Sequence, residues 1–129
     1  MGLVHVTASE TARQLAFAAA EAAADKLASN IVAIDVSSQL PLSDVFVLCS
    51  AANDRQTHAI VDLVEERLLQ LGAKPLHREG ERSGQWVLLD YAEIVVHVQL
   101  EEARDYYRLD RLWKDCPVLP IPVLSGGAS

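Results

Sequence analysis

Apolar residues along this chain fall into two kinds of pattern. NIVAIDV at 30–36 and VFVLCSA at 45–51 are unbroken apolar runs bounded by polar residues. They are too short for helices and predict buried strands, joined by a loop over SSQLPLS. After Asn53 or Asp54, either of which can cap a helix, Ile60, Val64, Leu68 and Leu71 recur at helical spacing. That predicts a helix ending near Leu71, with Gly72 as its C′ residue. Upstream, Thr7-Ala8-Ser9-Glu10 fits a capping box opening an alanine-dense helix over 8–27. Its stripe of Leu15, Ala19, Ala22 and Leu27 is thin, which predicts close approach to a neighbour but weak anchoring. It lacks the basic polar face of a membrane-surface helix.

The second half is denser in unusual residues. Residues 75–78 predict a short edge strand, where proline is tolerated. Residues 79–85 are polar and glycine-containing, hence a loop. Residues 85–91 and 93–99 are two short strands joined by a tight turn, so they should pair as an antiparallel hairpin. Alternation puts Trp86, Leu88 and Asp90 on one face of the first strand. In the second it puts Ile94, Val96 and Val98 on one face, and Val95, His97 and Gln99 on the other. No face is plainly polar, so the hairpin should be covered on both sides or present an apolar face to a partner.

A helix is predicted over 101–113. Glu101 and Glu102 sit at its positive dipole end, and Tyr106, Leu109 and Trp113 form one apolar stripe. Pro117 and Pro120 end it. Residues 117–129 read as a proline- and glycine-containing tail without regular structure. The order of elements predicts a single α/β domain over 1–116, a mixed five-stranded sheet packed with helices.

Composition narrows the function. Half of the 129 residues are hydrophobic, which argues against disorder, and a chain this long buries roughly two thirds of its unfolded surface. The net charge is −7, from 18 acids against 11 bases. That argues against broad binding to a phosphate backbone and suits a basic protein partner. Two cysteines, Cys49 and Cys116, suggest a reducing compartment; Cys49 reads as a small core residue, and Cys116, near a helix end, could be exposed. The start, MGLVHVTASE, shows no secretory pattern, and no run approaches a membrane span. A cytoplasmic location is expected.

Candidate chemistry is sparse. His5, His58, His77 and His97 lack metal-ligand spacing, so no metal site is expected. A nucleotidyltransferase needs a Gly-Ser phosphate cradle and paired acids. Asp35 and Asp44 are strand-end acids without that context, and turn or cap hydrogen bonds explain them better. No nucleophile elbow or phosphate-binding glycine loop is present, so no cofactor is expected. His97 stands alone inside VVHVQ, either a satisfied core residue or an interface hydrogen-bonding group that titrates near neutral pH. Trp86, Tyr106, Tyr107 and Trp113 are core packing or, where acids rim them, a protein-binding hot spot. They do not interleave with basic residues as a base-stacking platform would.

The order EG, Trp86, two apolar residues, Asp90, then VVHV, EEAR, DYY and L-x-x-LW resembles the bacterial ribosomal silencing factor family, related to Iojap. AIDVSS at 33–38 and SDVFVLCSA at 43–51 agree with it. The resemblance runs from about Thr7 to Cys116. It departs where the family usually carries glycine and this chain has Ala92, where an aromatic is common and Gln99 stands, and at Cys116, where alanine is frequent. The resemblance implies a nucleotidyltransferase-like topology without the catalytic residues. It implies a non-enzymatic factor that docks on the large-subunit ribosomal protein numbered fourteen in the universal nomenclature, blocks subunit joining and represses translation when nutrients are scarce. On that reading Trp86 and Leu88 are apolar anchors. Asp90, Glu101 and Glu102 accept from basic groups, and His97, Tyr106 and Tyr107 add hydrogen bonds. The competing class is a degenerate nucleotidyltransferase-like enzyme or nucleotide-binding protein; a homodimeric adaptor is a third.

Overall fold

The computed structural model describes residues 8–80 and 85–122, except the side chains of residues 106, 107, 109 and 110. The described residues run α1 (Glu10–Asp25), β1 (Ser29–Asp35), β2 (Val45–Ala51), α2 (Asp54–Gln70), β3 (His77–Glu79), β4 (Trp86–Asp90), β5 (Ile94–Leu100), α3 (Glu101–Tyr107), α4 (Leu109–Leu112) and β6 (Val118–Leu119). The strands form one sheet in the order β3-β4-β5-β2-β1-β6. The predicted mixed α/β class holds, with six strands rather than five. The added strand is β6, from the segment expected to lack regular structure. Val118 and Leu119 pair antiparallel with Ile34 and Ala33, and Ile121 is buried in the core. Prolines on either side do not prevent this, because an edge strand needs hydrogen bonds on one side only.

β2 and β5 pair in parallel through Val45↔Ile94 to Ala51↔Leu100, and every other pairing is antiparallel. A parallel pair needs a crossover. Here α2, β3 and β4 supply it, and α2 packs with α1 over one face, the inner face. Ala33, Val47, Cys49, Val87, Leu89, Ile94, Val96 and Val98 fill that face beneath Ile60, Val64 and Leu68.

Helix α1 is capped by Ser9, whose Oγ accepts from Ala12 N at 3.0 Å. Thr7, the expected cap, lies outside the described residues. The expectation of weak anchoring is overturned. Ala12, Ala16, Ala19, Ala20 and Ala22 are fully buried. Their methyl groups let the helix backbone lie close against β2 and α2, so area is buried by proximity rather than by side-chain length. Leu27, predicted on the stripe, lies beyond the helix at φ 64 and is 81% exposed. Likewise Leu71 caps α2 instead of extending its buried face and is 54% exposed, with Gly72 next at φ 84.

The predicted helix over 101–113 breaks in two. Arg108 adopts a left-handed conformation (φ 51, ψ 53), and α4 begins after it. The continuous stripe through Tyr106, Leu109 and Trp113 is therefore interrupted. Cys116 is buried beside Ile34, Val36 and Leu48 rather than exposed.

Candidate functional site

On the outer face of the hairpin the expected alternation is realised. Along β4, Trp86, Leu88 and Asp90 are half-buried while Val87 and Leu89 are sealed against the helices. Their cross-strand partners on β5 are Gln99, His97 and Val95. The hairpin turn is set by Asp90, whose Oδ1 accepts from Ala92 N at 2.7 Å. Ala92 there has φ 69, a left-handed conformation that glycine adopts without cost. One Asp90 oxygen thus shapes the turn. At the other end, Gly80 (φ 83) lies against Trp86, and a Cβ would overlap the Trp86 carbonyl oxygen. Only glycine lets the preceding chain pass so close to the start of β4.

His97 organises the face. The Trp86 indole N–H donates to His97 Nδ1 at 3.1 Å. Indole nitrogen is only a donor, so Nδ1 accepts and the ring proton sits on Nε2. Nε2 is buried and has no partner among the described residues. Of the two readings of His97, titration near neutral pH does not hold. Burial, then the nearby Arg104 charge, push its pKa down to about 4. It is a neutral, fixed acceptor that orients Trp86.

An aromatic row extends from this pair. Phe46 lies 4.9 Å from His97 and 5.4 Å edge-on from Trp113, ring centre to ring centre. Such tilted contacts are favourable for ring quadrupoles. Phe46 went unnoticed in the sequence because it neighbours His97 only through the parallel β2–β5 pairing. Glu79 is a second omission. It pairs directly with Leu88 across the β3–β4 ladder and forms a 2.6 Å pair with His77. Placing the edge strand at 75–78 left Glu79 in the loop, one residue out of register.

The acids do not ring the anchor. Asp90 is at the turn end of the hairpin. Glu101 and Glu102 are exposed at the start of α3, beyond the opposite end, roughly 20 Å away at 3.3 Å per strand residue. Glu101 instead accepts from Ser29 Oγ at 3.4 Å. Tyr106 and Tyr107 belong to α3, with side chains outside the described residues. Behind α3, Arg104 is buried and its Nη1 donates to Ser50 Oγ at 3.0 Å. Gln99 is fully buried, and neither side-chain polar atom has a partner among the described residues.

The described candidates for reactive chemistry are occupied in the fold. Cys49 is fully buried, and burial pushes its thiol up to about 12, which suppresses thiolate chemistry. Asp35 accepts from Ala8 N, Ser37 N and Ser37 Oγ, and Asp44 accepts from Ser9 N. Both acids tie the start of α1 to the sheet. Burial raises the Asp35 pKa, but its hydrogen bonds outweigh that and hold it below the ordinary 3.8. Among the described residues no three His, Cys, Asp or Glu side chains are grouped to hold a metal. Nor is any helix of the described residues long and apolar enough to cross a membrane.

Comparison with known proteins shows the family. A family model described as "Ribosomal silencing factor during starvation" matches residues 9–127. A ribosomal silencing factor of Bacillus subtilis is 35% identical over 100 residues, spanning 78% of this chain and 85% of that protein. One of Treponema pallidum is 36% identical over 110 residues, spanning 84% and 97%. A crystal structure from Chromobacterium violaceum superposes with a TM-score of 0.76 at 32% identity, covering 79% of this chain and 85% of that one.

Proposed function

The chain belongs to the ribosomal silencing factor family, and from that premise we propose that it acts by occupancy rather than catalysis. It binds the large ribosomal subunit through the basic ribosomal protein numbered fourteen and excludes the small subunit, lowering translation under nutrient limitation. Binding and subunit joining compete for one surface, so the factor shifts the population toward separated subunits.

The observation that carries this reading is the half-buried Trp86–Leu88 strip on the outer face. A partner gains by desolvating it, and the His97 hydrogen bond holds the indole in one orientation beforehand. Preorganised aromatic anchors of this kind dominate interface energies. Glu79 flanks the strip directly, while Asp90 and Glu101 with Glu102 stand at its two ends. They supply acceptors for a basic partner and steer its approach.

Co-sedimentation with purified large subunits tests this. Trp86→Ala is expected to weaken binding by at least tenfold, the scale of a hot-spot truncation, while circular dichroism and melting show a folded protein. Parental binding by the folded variant would remove Trp86 as anchor. Failure of the unaltered protein to bind large subunits would remove the reading itself.

A further inference from the structure

A second feature lies where β1 meets α3 and α4. Asn30, Val32, Arg104, Asp105, Arg108 and Arg111 line an open cleft of about 330 Å³. Three of the 11 basic residues of an acidic chain meet here, against one acid in the described lining. We propose that this cleft is a phosphate site that takes the sugar–phosphate backbone of RNA. The choice of RNA rests on the ribosome-binding reading, because a ribosomal subunit presents RNA around its proteins.

The chemistry of the cleft supports a phosphate ligand. Arg104 forms the floor, 7% exposed and fixed by its bond to Ser50 Oγ. Arg108 and Arg111 are exposed at the mouth. Arg108 Nε donates to the Asp105 carbonyl oxygen at 2.9 Å, which holds the guanidinium while its terminal nitrogens have no partner among the described residues. Arg111 forms no ion pair among them. Guanidinium groups are suited to bidentate contact with phosphate oxygens.

Arg108 occupies the left-handed position that ends α3, where glycine is the unstrained choice. An arginine there carries backbone strain, as Leu27 and Ala92 do elsewhere in the fold, and it aims the Arg108 side chain from the end of α3. The described lining offers Val32 as its one apolar side chain, with no aromatic wall to stack a base. The three guanidinium groups of the lining suit contact to the phosphate backbone, which positions without reading sequence. A local site of this kind is compatible with a net charge that disfavours broad nucleic-acid binding.

The test uses the full isotope-labelled chain, a short oligouridylate, inorganic phosphate and purified large subunits. Oligouridylate is expected to shift the resonances of Asn30, Arg108 and Arg111 saturably. Arg108→Gly, which suits the local backbone and should fold at least as well as the parent, and Arg111→Gln should each weaken that binding several-fold. On large subunits the double variant should bind about tenfold more weakly at low salt. Its plot of log affinity against log salt should be shallower by about 1.5, for two lost phosphate contacts. If the parent binds subunits and the double variant matches its affinity and salt slope, the phosphate site is refuted while the docking reading stands. If the parent does not bind subunits, the docking reading falls and the titration decides alone. Saturable shifts at Arg108 and Arg111 then uphold the site, and their absence refutes it. Tighter saturation by inorganic phosphate than by oligouridylate would overturn the RNA assignment in favour of a small free anion.

Discussion

The two faces of the sheet use the same strands and bury different things. Beneath α1 and α2, Val87, Leu89, Ile94, Val96 and Val98 are sealed in one apolar cluster. On the outer face the alternate residues of the same two strands are Trp86, Leu88, Asp90, Val95, His97 and Gln99. Three of these remain half-buried, and two carry buried polar atoms without partners among the described residues. The inner face is optimised for packing. The outer face keeps incompletely desolvated apolar area at Trp86 and Leu88, the feature a fold tolerates where a partner covers the surface.

Breaking one residue on each face gives the largest contrast. Leu89→Ala should cost about 4 kcal/mol of unfolding free energy, because it empties a sealed site. Leu88→Ala should cost about 1 kcal/mol, since its side chain is already partly wet, yet weaken binding to large subunits. Urea unfolding with co-sedimentation checks both. Equal stability losses would erase the distinction.

His97 sharpens the comparison through pH. Its folded pKa of about 4 lies below the ordinary 6.5. As pH falls past 6.5 the unfolded chain takes up a proton that the folded chain refuses until about 4. Stability is therefore greatest above pH 6.5 and declines across that window by about 3 kcal/mol. His97→Gln should flatten this part of the profile, leaving the loss at lower pH from carboxylates such as Asp35, whose depressed pKa stabilises the fold until it protonates.

Gln99→Leu tests the buried polar atoms. Replacing an amide that has no partner among the described residues by an apolar side chain of similar size should raise stability by about 1–2 kcal/mol. A destabilised variant in thermal melts would mean the amide is satisfied. The smallest effect is at the turn. Ala92→Gly removes left-handed strain and should stabilise by about 0.5 kcal/mol after the entropy gained by the unfolded chain is counted. A lower melting temperature would contradict it.

Much of the fold was legible because it is local. Period-two alternation fixed which side chains of β4 and β5 share a face. The apolar runs marked β1 and β2, and Asn53 with the helical recurrence of Ile60, Val64 and Leu68 marked α2. The same rule put Trp86 and Leu88 on one face with Asp90, without deciding whether that face is open. These depend on backbone geometry within a few residues, so no knowledge of the rest of the chain is needed.

Tertiary structure decided the remainder. Alanines with little hydrophobic stripe became the tightly buried side of α1, because burial depends on how near another element comes. β2 met β5 in parallel across more than forty residues of sequence, which alone brought Phe46 to His97. The pairing of Val118 and Leu119 with β1 and the bond between Trp86 and His97 both arise from neighbours on other strands. The low pKa of His97 has the same origin: solvent exclusion and the charge of Arg104 belong to the assembled face, and a pattern of residue types along one strand contains neither.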